Sequence, residues 1–387
     1  MKKIFIFSTF LMFILTFPSC KKGYTFLSAN NLFSIPLKDP NAAIGRVVRS
    51  GQNKSFLFAA NTMKASIDYS EGYVYIVDSY MNRILKFNQT GKLVLIIYNE
   101  KIQNTTFYEL PEQAPTTPPD GSVIKAKYDI NSPGVIAADT EGNIYVETYT
   151  PGTETKPAFH YILKFDNEGK FQFQIGQDGR DGLHFTDSEF ISSLFTDASK
   201  NLYVISRYKI EEASKYQPYG IMARVFNKDG KFLFKIRSHV LVPRIEVRSG
   251  EFAIIENLLP APTIDSFIFS IAIYKDVRQE SGERVELLRK ELYYINHQSN
   301  EIKKIRRFPE KELSLFATTN TGSVYLNTAR GMNLDLVIMS TSGNIYKRNR
   351  IKFFSGEGKF VIAQPTSSGK ILGLFYDGAN LNIFSWL

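Results

Sequence analysis

The chain has 387 residues, a net charge of +9, a hydrophobic content of 43% and a charged content of 22%. These values exclude a disordered chain and are typical of a globular protein with a large apolar core. A single cysteine, Cys20, excludes an intramolecular disulfide and a thiolate metal cluster.

The first twenty residues have the pattern of an export signal. Two lysines precede an apolar run of about 14 residues, from Ile4 to Phe17. A helix needs about 20 apolar residues to cross a bilayer, so this run is too short. We therefore predict a leader rather than a permanent membrane helix. Pro18-Ser19-Cys20 resembles a bacterial lipobox, which implies removal of residues 1–19, acylation of Cys20 with chains such as palmitate, and a tether over residues 20–30. An ordinary leader with a lone cysteine at its end is the alternative.

A lipid on Cys20 implies a location in the cell envelope, at the outer membrane or a periplasm-facing leaflet, and not in the cytoplasm. Export also argues against a nucleic-acid partner, although the chain is basic. A basic exported domain favours a protein or an anionic envelope component as its partner, besides the membrane that holds the lipid.

Three stretches of the sequence, at 71–97, 141–176 and 199–236, repeat one pattern. Each has a turn, a strand, a second strand, a tight turn of the N-x-x-G-K or D-x-x-G-K type, and a third strand. Asn or Asp followed by Gly supplies the positive φ that a tight hairpin needs. One such sheet cannot bury both faces alone, so the repeats predict an all-β protein with sheets stacked around an axis, a β-propeller.

Equivalent aromatic residues indicate the number of repeats. They are Tyr75, Tyr145, Tyr203, Tyr325 and Phe375. The interval of 122 residues between the third and fourth fits two units of about 61 residues. We therefore predict six four-stranded blades in residues 31–387. Their approximate bounds are 61–98, 133–176, 190–237, 250–308, 313–352 and 359–387. The last blade has only three strands, and residues 31–37 are predicted to supply the fourth and close the ring. Seven blades, with a further repeat inside 38–70, are the alternative.

The segment 67–92 resembles the repeat unit of NHL-type propellers, and the match includes Asp78, Asn82, Arg83 and Phe87. This resemblance, to NHL-repeat-like and TolB-like six-bladed propellers, extends over most of residues 65–387. Together with the lipobox, the chain resembles spirochaetal envelope lipoproteins of the kind found in Leptospira. The motif specifies a blade and not an activity.

Insertions predict a binding face. Residues 151–159, 209–219 and 276–285 lie between predicted second and third strands, and the Pro-rich segment 99–133 joins the first two blades. Propeller topology places these connections on one face, opposite the tight hairpins. Tyrosines in or beside them favour recognition through this face, and they are Tyr108, Tyr149, Tyr208, Tyr216 and Tyr219. Neutral surface insertions are the alternative, because long loops cost little free energy.

Two basic runs fall on the predicted outer strands of adjacent blades. They contain Lys303, Lys304, Arg306, Arg307, Lys347, Arg348 and Arg350. An acidic envelope glycan or a membrane surface would match their charge, and a solvated rim is the alternative.

The sequence contains few signals for catalysis or metal binding. The four histidines, His160, His184, His239 and His297, stand apart from one another and are predicted to be structural or surface residues. We predict no metal and no cofactor besides the covalent lipid, and a non-enzymatic recognition or scaffold protein. A metal-dependent propeller hydrolase or lyase with a site in the central channel is the alternative.

Overall fold

The computed structural model of the protein describes most of the chain beyond residue 22. The described residues are 23–36, 66–79, 82–101, 123–150, 152, 159–176, 185, 189–210, 218–263, 265–279, 282–330, 333–352, 359–366, 369–376 and 380–386. They form 26 strands, a four-residue helix α1 (Ser238–Leu241) and a 3-10 turn (Val242–Arg244). The first two strands, β1 (Thr25–Leu27) and β2 (Asn30–Pro36), join the fifth and sixth sheets.

The remaining strands form six sheets in chain order. Blade one comprises β3 (Ser66–Ser70), β4 (Tyr73–Asp78), β5 (Arg83–Phe87) and β6 (Leu93–Tyr98), and β7 (Ile124–Lys127) pairs parallel with β6. Blade two comprises β8 (Ile136–Ala138), β9 (Ile144–Thr150), β10 (Phe159–Phe165) and β11 (Phe171–Gly176). Blade three comprises β12 (Glu189–Thr196), β13 (Leu202–Lys209), β14 (Tyr219–Phe226) and β15 (Phe232–Arg237).

The second half of the chain repeats this arrangement. Blade four comprises β16 (Glu251–Pro260), β17 (Ser266–Gln279), β18 (Gly282–Asn296) and β19 (Glu301–Arg307). Blade five comprises β20 (Ser314–Thr318), β21 (Ser323–Arg330), β22 (Asn333–Ser340) and β23 (Ile345–Lys352), and β1 pairs parallel with β23. Blade six comprises β24 (Lys359–Pro365), β25 (Ile371–Tyr376) and β26 (Asn380–Trp386), with β2 as its fourth strand.

The six sheets form a ring, which confirms the predicted six-bladed β-propeller. First strands of neighbouring blades contact one another, as β3 does with β8 and β24, so these strands surround the axis. The fourth strands, such as β19, are largely exposed and form the outer edge. The ring closes as predicted, because β2 pairs antiparallel with β26 through Phe33 opposite Ile383.

The apolar core is divided among the gaps between blades. Ile144, Val146 and Leu163 of blade two are fully buried against blade one, in a cluster that includes Tyr75 and Val77. The alternate side chains on the same strands face blade three. Both faces of each sheet are therefore buried, which explains why the central strands are apolar almost throughout.

Lysines on third strands link each of the first two blades to the next. The Lys86 Nζ lies 5.5 Å from the Tyr75 ring centre and donates to the carbonyl oxygen of Asn167 at 3.2 Å. The Lys164 Nζ lies 5.2 Å from the Tyr145 ring centre and donates to the carbonyl oxygen of Lys228 at 2.7 Å. In both cases the acceptor belongs to the hairpin before the fourth strand of the following blade. The same contact thus joins blade one to blade two and blade two to blade three.

The predicted tight hairpins close through local hydrogen bonds. The Asn88 side-chain oxygen accepts from the N–H groups of Thr90 at 3.0 Å and Lys92 at 2.9 Å. Gly91, at φ 78°, donates its N–H to the Asn88 carbonyl oxygen at 3.0 Å. Asp166 and Asn227 make equivalent bonds in the next two blades. Local chemistry alone therefore specifies these turns.

Three segments differ from their predicted form. Residues 25–27, within the predicted tether, form β1, and residues 124–127, within the predicted link, form β7. Residues 276–285 were predicted as an inserted loop, but the described residues 276–279 and 282–285 instead extend a ladder in which Asp276 pairs with Val285. Strands β17 and β18 have 14 and 15 residues, so this hairpin extends beyond the five to eight residues of the equivalent strands in the other blades.

Candidate functional site

The two ends of the propeller differ in their connections. Turns between first and second strands, and between third and fourth strands, lie at one end, which we call the hairpin end. Connections between second and third strands, and between blades, lie at the other, which we call the loop end. Because functional residues are common on loops held by a rigid scaffold, the loop end is the candidate binding face.

The predicted tyrosines that the structure describes all lie at the loop end. Tyr149 and Tyr208 each lie one residue before the end of the second strand, in blades two and three, and Tyr219 begins the third strand of blade three. Tyr208 and Tyr219 sit on paired strands, whereas Tyr149 belongs to the neighbouring blade. Tyr108, Tyr216, His184 and Cys20 lie outside the described residues.

Blade three presents a patch at this end that is formed by strand residues and by helix α1. The Tyr208 hydroxyl is hydrogen-bonded to Nδ1 of His239, which belongs to α1. Burial raises the pKa of Tyr208 and keeps its hydroxyl neutral. Tyr219 is 58% exposed and Val240 of α1 is 55% exposed. We call Tyr208, Tyr219, His239 and Val240 the blade-three patch.

A polar cluster fills the cleft between blades two and three beside this patch. Nδ1 of His160 lies 2.8 Å from Oε1 of Glu147, and the His160 ring centre lies 4.9 Å from that of Tyr149. The other Glu147 oxygen accepts the N–H of Val135 at 3.1 Å. A Cβ at Gly134 would lie 2.1 Å from Oε2 of Glu147, so a larger residue there would displace this carboxylate.

The facing side of this cleft carries a buried ion pair. The Arg224 Nη2 donates to Oε1 of Glu189 at 2.7 Å, and its guanidinium carbon lies 4.9 Å from the ring centre of Phe185. Phe185 in turn bridges to the backbone of His160. The second Glu189 oxygen is buried and has no hydrogen-bond partner among the described residues. Sequence reasoning missed these ion pairs, although charged residues inside otherwise apolar strands were a readable signal.

Blade four carries a second charged cluster at the base of its long hairpin. Nη1 of Arg289 donates to both oxygens of Glu251 at 2.9 Å, and its Nε donates to Glu291 at 3.0 Å. Burial alone would raise the pKa of Glu291, but hydrogen bonds from Lys304, Tyr293 and Arg289 lower it below the ordinary value. The cluster joins strands β16, β18 and β19 at the base of the hairpin.

Side chains on the first strands form hydrogen bonds to the first strand of a neighbouring blade near the hairpin end. They occupy the same position in each repeat, seven residues before the equivalent tyrosine. The Thr196 hydroxyl donates to the Ala138 carbonyl oxygen at 2.9 Å, and Thr318 makes the same kind of bond to Pro260 at 2.5 Å. At the equivalent position in blade one, Asp68 accepts the N–H of Ala138 at 2.8 Å. Burial raises the pKa of Asp68 to about 7, against the opposing effect of its two backbone hydrogen bonds.

The basic residues lie on the fourth strands of blades four and five. Three of them are neutralised: Lys304 by Glu291 at 2.5 Å, Arg348 by Glu310 at 3.0 Å, and Arg350 by the buried Asp335 at 2.6 Å. Nη1 of Arg306 donates to the carbonyl oxygen of Gly343 at 2.7 Å, which joins the two blades. Lys303, Arg307 and Lys347 make no ion pair within the described part of the chain and project into solvent.

No group of three His, Cys, Asp or Glu side chains among the described residues could hold a metal ion. No helix in that same part of the chain is long and apolar enough to span a bilayer. The arrangement of rigid sheets, loops on one end and exposed aromatics fits a binding or scaffold role.

No protein-family model matches the chain, and a comparison with curated proteins finds no match. Among solved structures, the Kuenenia stuttgartiensis hydrazine synthase shares 8% identity, covers 82% of each chain and has a TM-score of 0.41. The β-propeller domain of the Trilobed protease from Pyrococcus furiosus, described with an open velcro topology, shares 14% identity over 84% of this chain and 93% of its own, with a TM-score of 0.38. The Dos1 propeller shares 12% identity over 82% and 77%, with a TM-score of 0.37. Sequence identities and TM-scores this low support no inference about function. The assignment of the fold as a propeller rests on the six sheets of this chain.

Proposed function

We propose that the chain is a lipoprotein of the bacterial cell envelope, anchored through a lipid on Cys20, whose propeller binds a protein partner through the loop end. The observation that carries the binding role is the blade-three patch. Large apolar side chains are exposed there beside a buried polar cleft, whereas the hairpin end consists of tight turns. Aromatic side chains with one polar atom are the groups that anchor protein interfaces.

The lipid anchor is supported by the sequence around Cys20. An apolar leader, a small residue before the cysteine and the absence of any other cysteine in 387 residues all suit acylation at this position. Two or three acyl chains hold a protein on a bilayer far more firmly than one chain does. Incorporation of labelled palmitate should occur in the full chain and be lost in Cys20→Ser. Equal labelling of both would contradict the anchor.

Site-specific photocrosslinking tests the loop end. A photoreactive amino acid at Tyr219 should capture a discrete partner in intact envelopes. The matched control places it at Leu233, which is 41% exposed on the outer strand of the same blade. We expect capture from position 219 alone, and loss of that capture when Val240→Asp is added. Equal capture from both positions, or capture that ignores Val240→Asp, would contradict recognition through this patch.

A further inference from the structure

The first described strand brings the start of the mature chain to the outer edge of blade five. Strand β1 pairs parallel with β23, with Thr25 opposite Asn349. Gly23 lines a groove of about 600 Å³ together with Tyr346 and Lys347. Gly23, the first residue that the structure describes, therefore lies at the outer edge of the propeller.

Chain length then limits how far the anchor can be. Cys20 precedes Gly23 by three residues, and an extended chain spans at most about 3.6 Å per residue, or about 11 Å in total. A lipid on Cys20 therefore holds the bilayer surface next to the outer strands of blade five, whatever path residues 20–22 take.

The chemistry of this edge suits an anionic bilayer. Phe26 is 62% exposed and Tyr346 is 50% exposed, and both lie beside the groove. Three exposed cations lie on the neighbouring fourth strands β19 and β23 and have no ion-pair partner in the part of the chain that the structure describes: Lys303, Arg307 and Lys347. Aromatic rings insert at headgroup depth, while lysine and arginine bind lipid phosphates. We call Phe26, Lys303, Arg307, Tyr346 and Lys347 the basic edge.

We propose that the basic edge docks on anionic phospholipid headgroups, an inference that rests on the proposed anchor at Cys20. Two fourth strands form one surface here, because the Arg306 guanidinium bonds to Gly343 across the gap between blades. The neutralised residues Lys304, Arg348 and Arg350 hold the edge together, and the three unpaired cations remain for the lipid. In the docked state, the rim of the propeller contacts the bilayer.

Vesicle flotation tests the surface without the lipid anchor. The protein used is residues 20–387 with Cys20→Ser, which retains every residue that the structure describes. Its binding is compared on vesicles of phosphatidylglycerol mixed with phosphatidylcholine and on phosphatidylcholine alone, at low and high salt. We expect binding to the anionic vesicles only, weakened by salt.

Charge reversal locates the binding surface. Each basic residue near a bilayer surface strengthens binding about fivefold, so the triple variant Lys303→Glu, Arg307→Glu, Lys347→Glu should bind at least about 100-fold more weakly. The matched control reverses three exposed cations on or directly before the outer strand of blade three: Lys231, Lys235 and Arg237. It changes the net charge equally, and its binding should fall only a few-fold. Should the first triple fail to fold, the same three positions changed to Gln keep the test valid.

Equal losses in both triple variants, equal binding to neutral vesicles, or no binding by the parent protein would each overturn the proposal. Labelling of Cys20 with palmitate is measured separately. Failure of the anchor and failure of the basic edge are therefore distinguishable outcomes.

Discussion

Phe33 is the side chain on which closure of the ring depends most directly. It is 8% exposed, lies 5.4 Å from Phe87 of blade one between ring centres, and belongs to β2, the strand that completes blade six. Truncation of a buried phenylalanine to alanine costs about 3–5 kcal/mol. Because β2 is an edge strand whose surroundings can partly collapse, we expect Phe33→Ala to lower the free energy of unfolding by about 3 kcal/mol. At about 2 °C per kcal/mol for a large domain, the melting temperature should fall by about 6 °C.

The single tryptophan provides a local assay for this change. Trp386 is 1% exposed and ends β26, the strand paired with β2. Urea unfolding followed by tryptophan fluorescence should therefore shift to lower urea in Phe33→Ala. The matched control is Phe26→Ala, the same substitution at a residue that is 62% exposed on β1. It should cost less than about 1 kcal/mol. Equal midpoints for the two variants would refute the argument that β2 closes the ring through Phe33.

Three further predictions concern other contacts. Gly91 and Gly250 share a φ of 78°, but a Cβ at Gly91 would lie 2.5 Å from Phe33, whereas nothing lies within 4 Å at Gly250. Gly91→Ala should thus cost about 1–3 kcal/mol more than Gly250→Ala in thermal unfolding. Arg224→Met should cost about 3–5 kcal/mol by leaving buried Glu189 unpaired, and adding Glu189→Leu should restore most of it in urea titrations. The pKa of Asp68 is about 7 in the folded chain and about 3.9 in the unfolded chain. Its contribution to the free energy of unfolding is therefore complete below about pH 4 and is lost as pH rises through 7. Unfolding measured from pH 4 to pH 8 should show this loss in the native chain and not in Asp68→Asn.

Each of these has an outcome that would contradict it. Equal costs for the two glycine variants would mean that contact with Phe33 is not tight. A double variant no more stable than Arg224→Met would mean that the charge on Glu189 is not what destabilises the single variant. Parallel stability curves for Asp68→Asn and the native chain would mean that Asp68 keeps an ordinary pKa when folded.

The sequence predicted what local chemistry determines. Hairpins such as 88–92 close through hydrogen bonds between residues two to four apart, so their motif is visible without tertiary information. Strand β2 was predictable because blade six otherwise lacks a strand. Strands β1 and β7 were not, since they have three and four residues, pair in parallel and carry no turn signal. A charged residue such as Arg224 inside an apolar strand is visible in the sequence, but its pairing with Glu189, 35 residues away, is not.

The two proposed surfaces are compatible because they lie on different parts of the ring. The basic edge belongs to the outer strands β1, β19 and β23 at the rim, whereas the blade-three patch lies at the loop end. A propeller held on its rim keeps its axis along the bilayer, so the loop end faces sideways. Its partner would then be a neighbour in the same envelope layer. A partner approaching from the far side of the envelope would have to contact the opposite rim, where the blade-three patch is not presented.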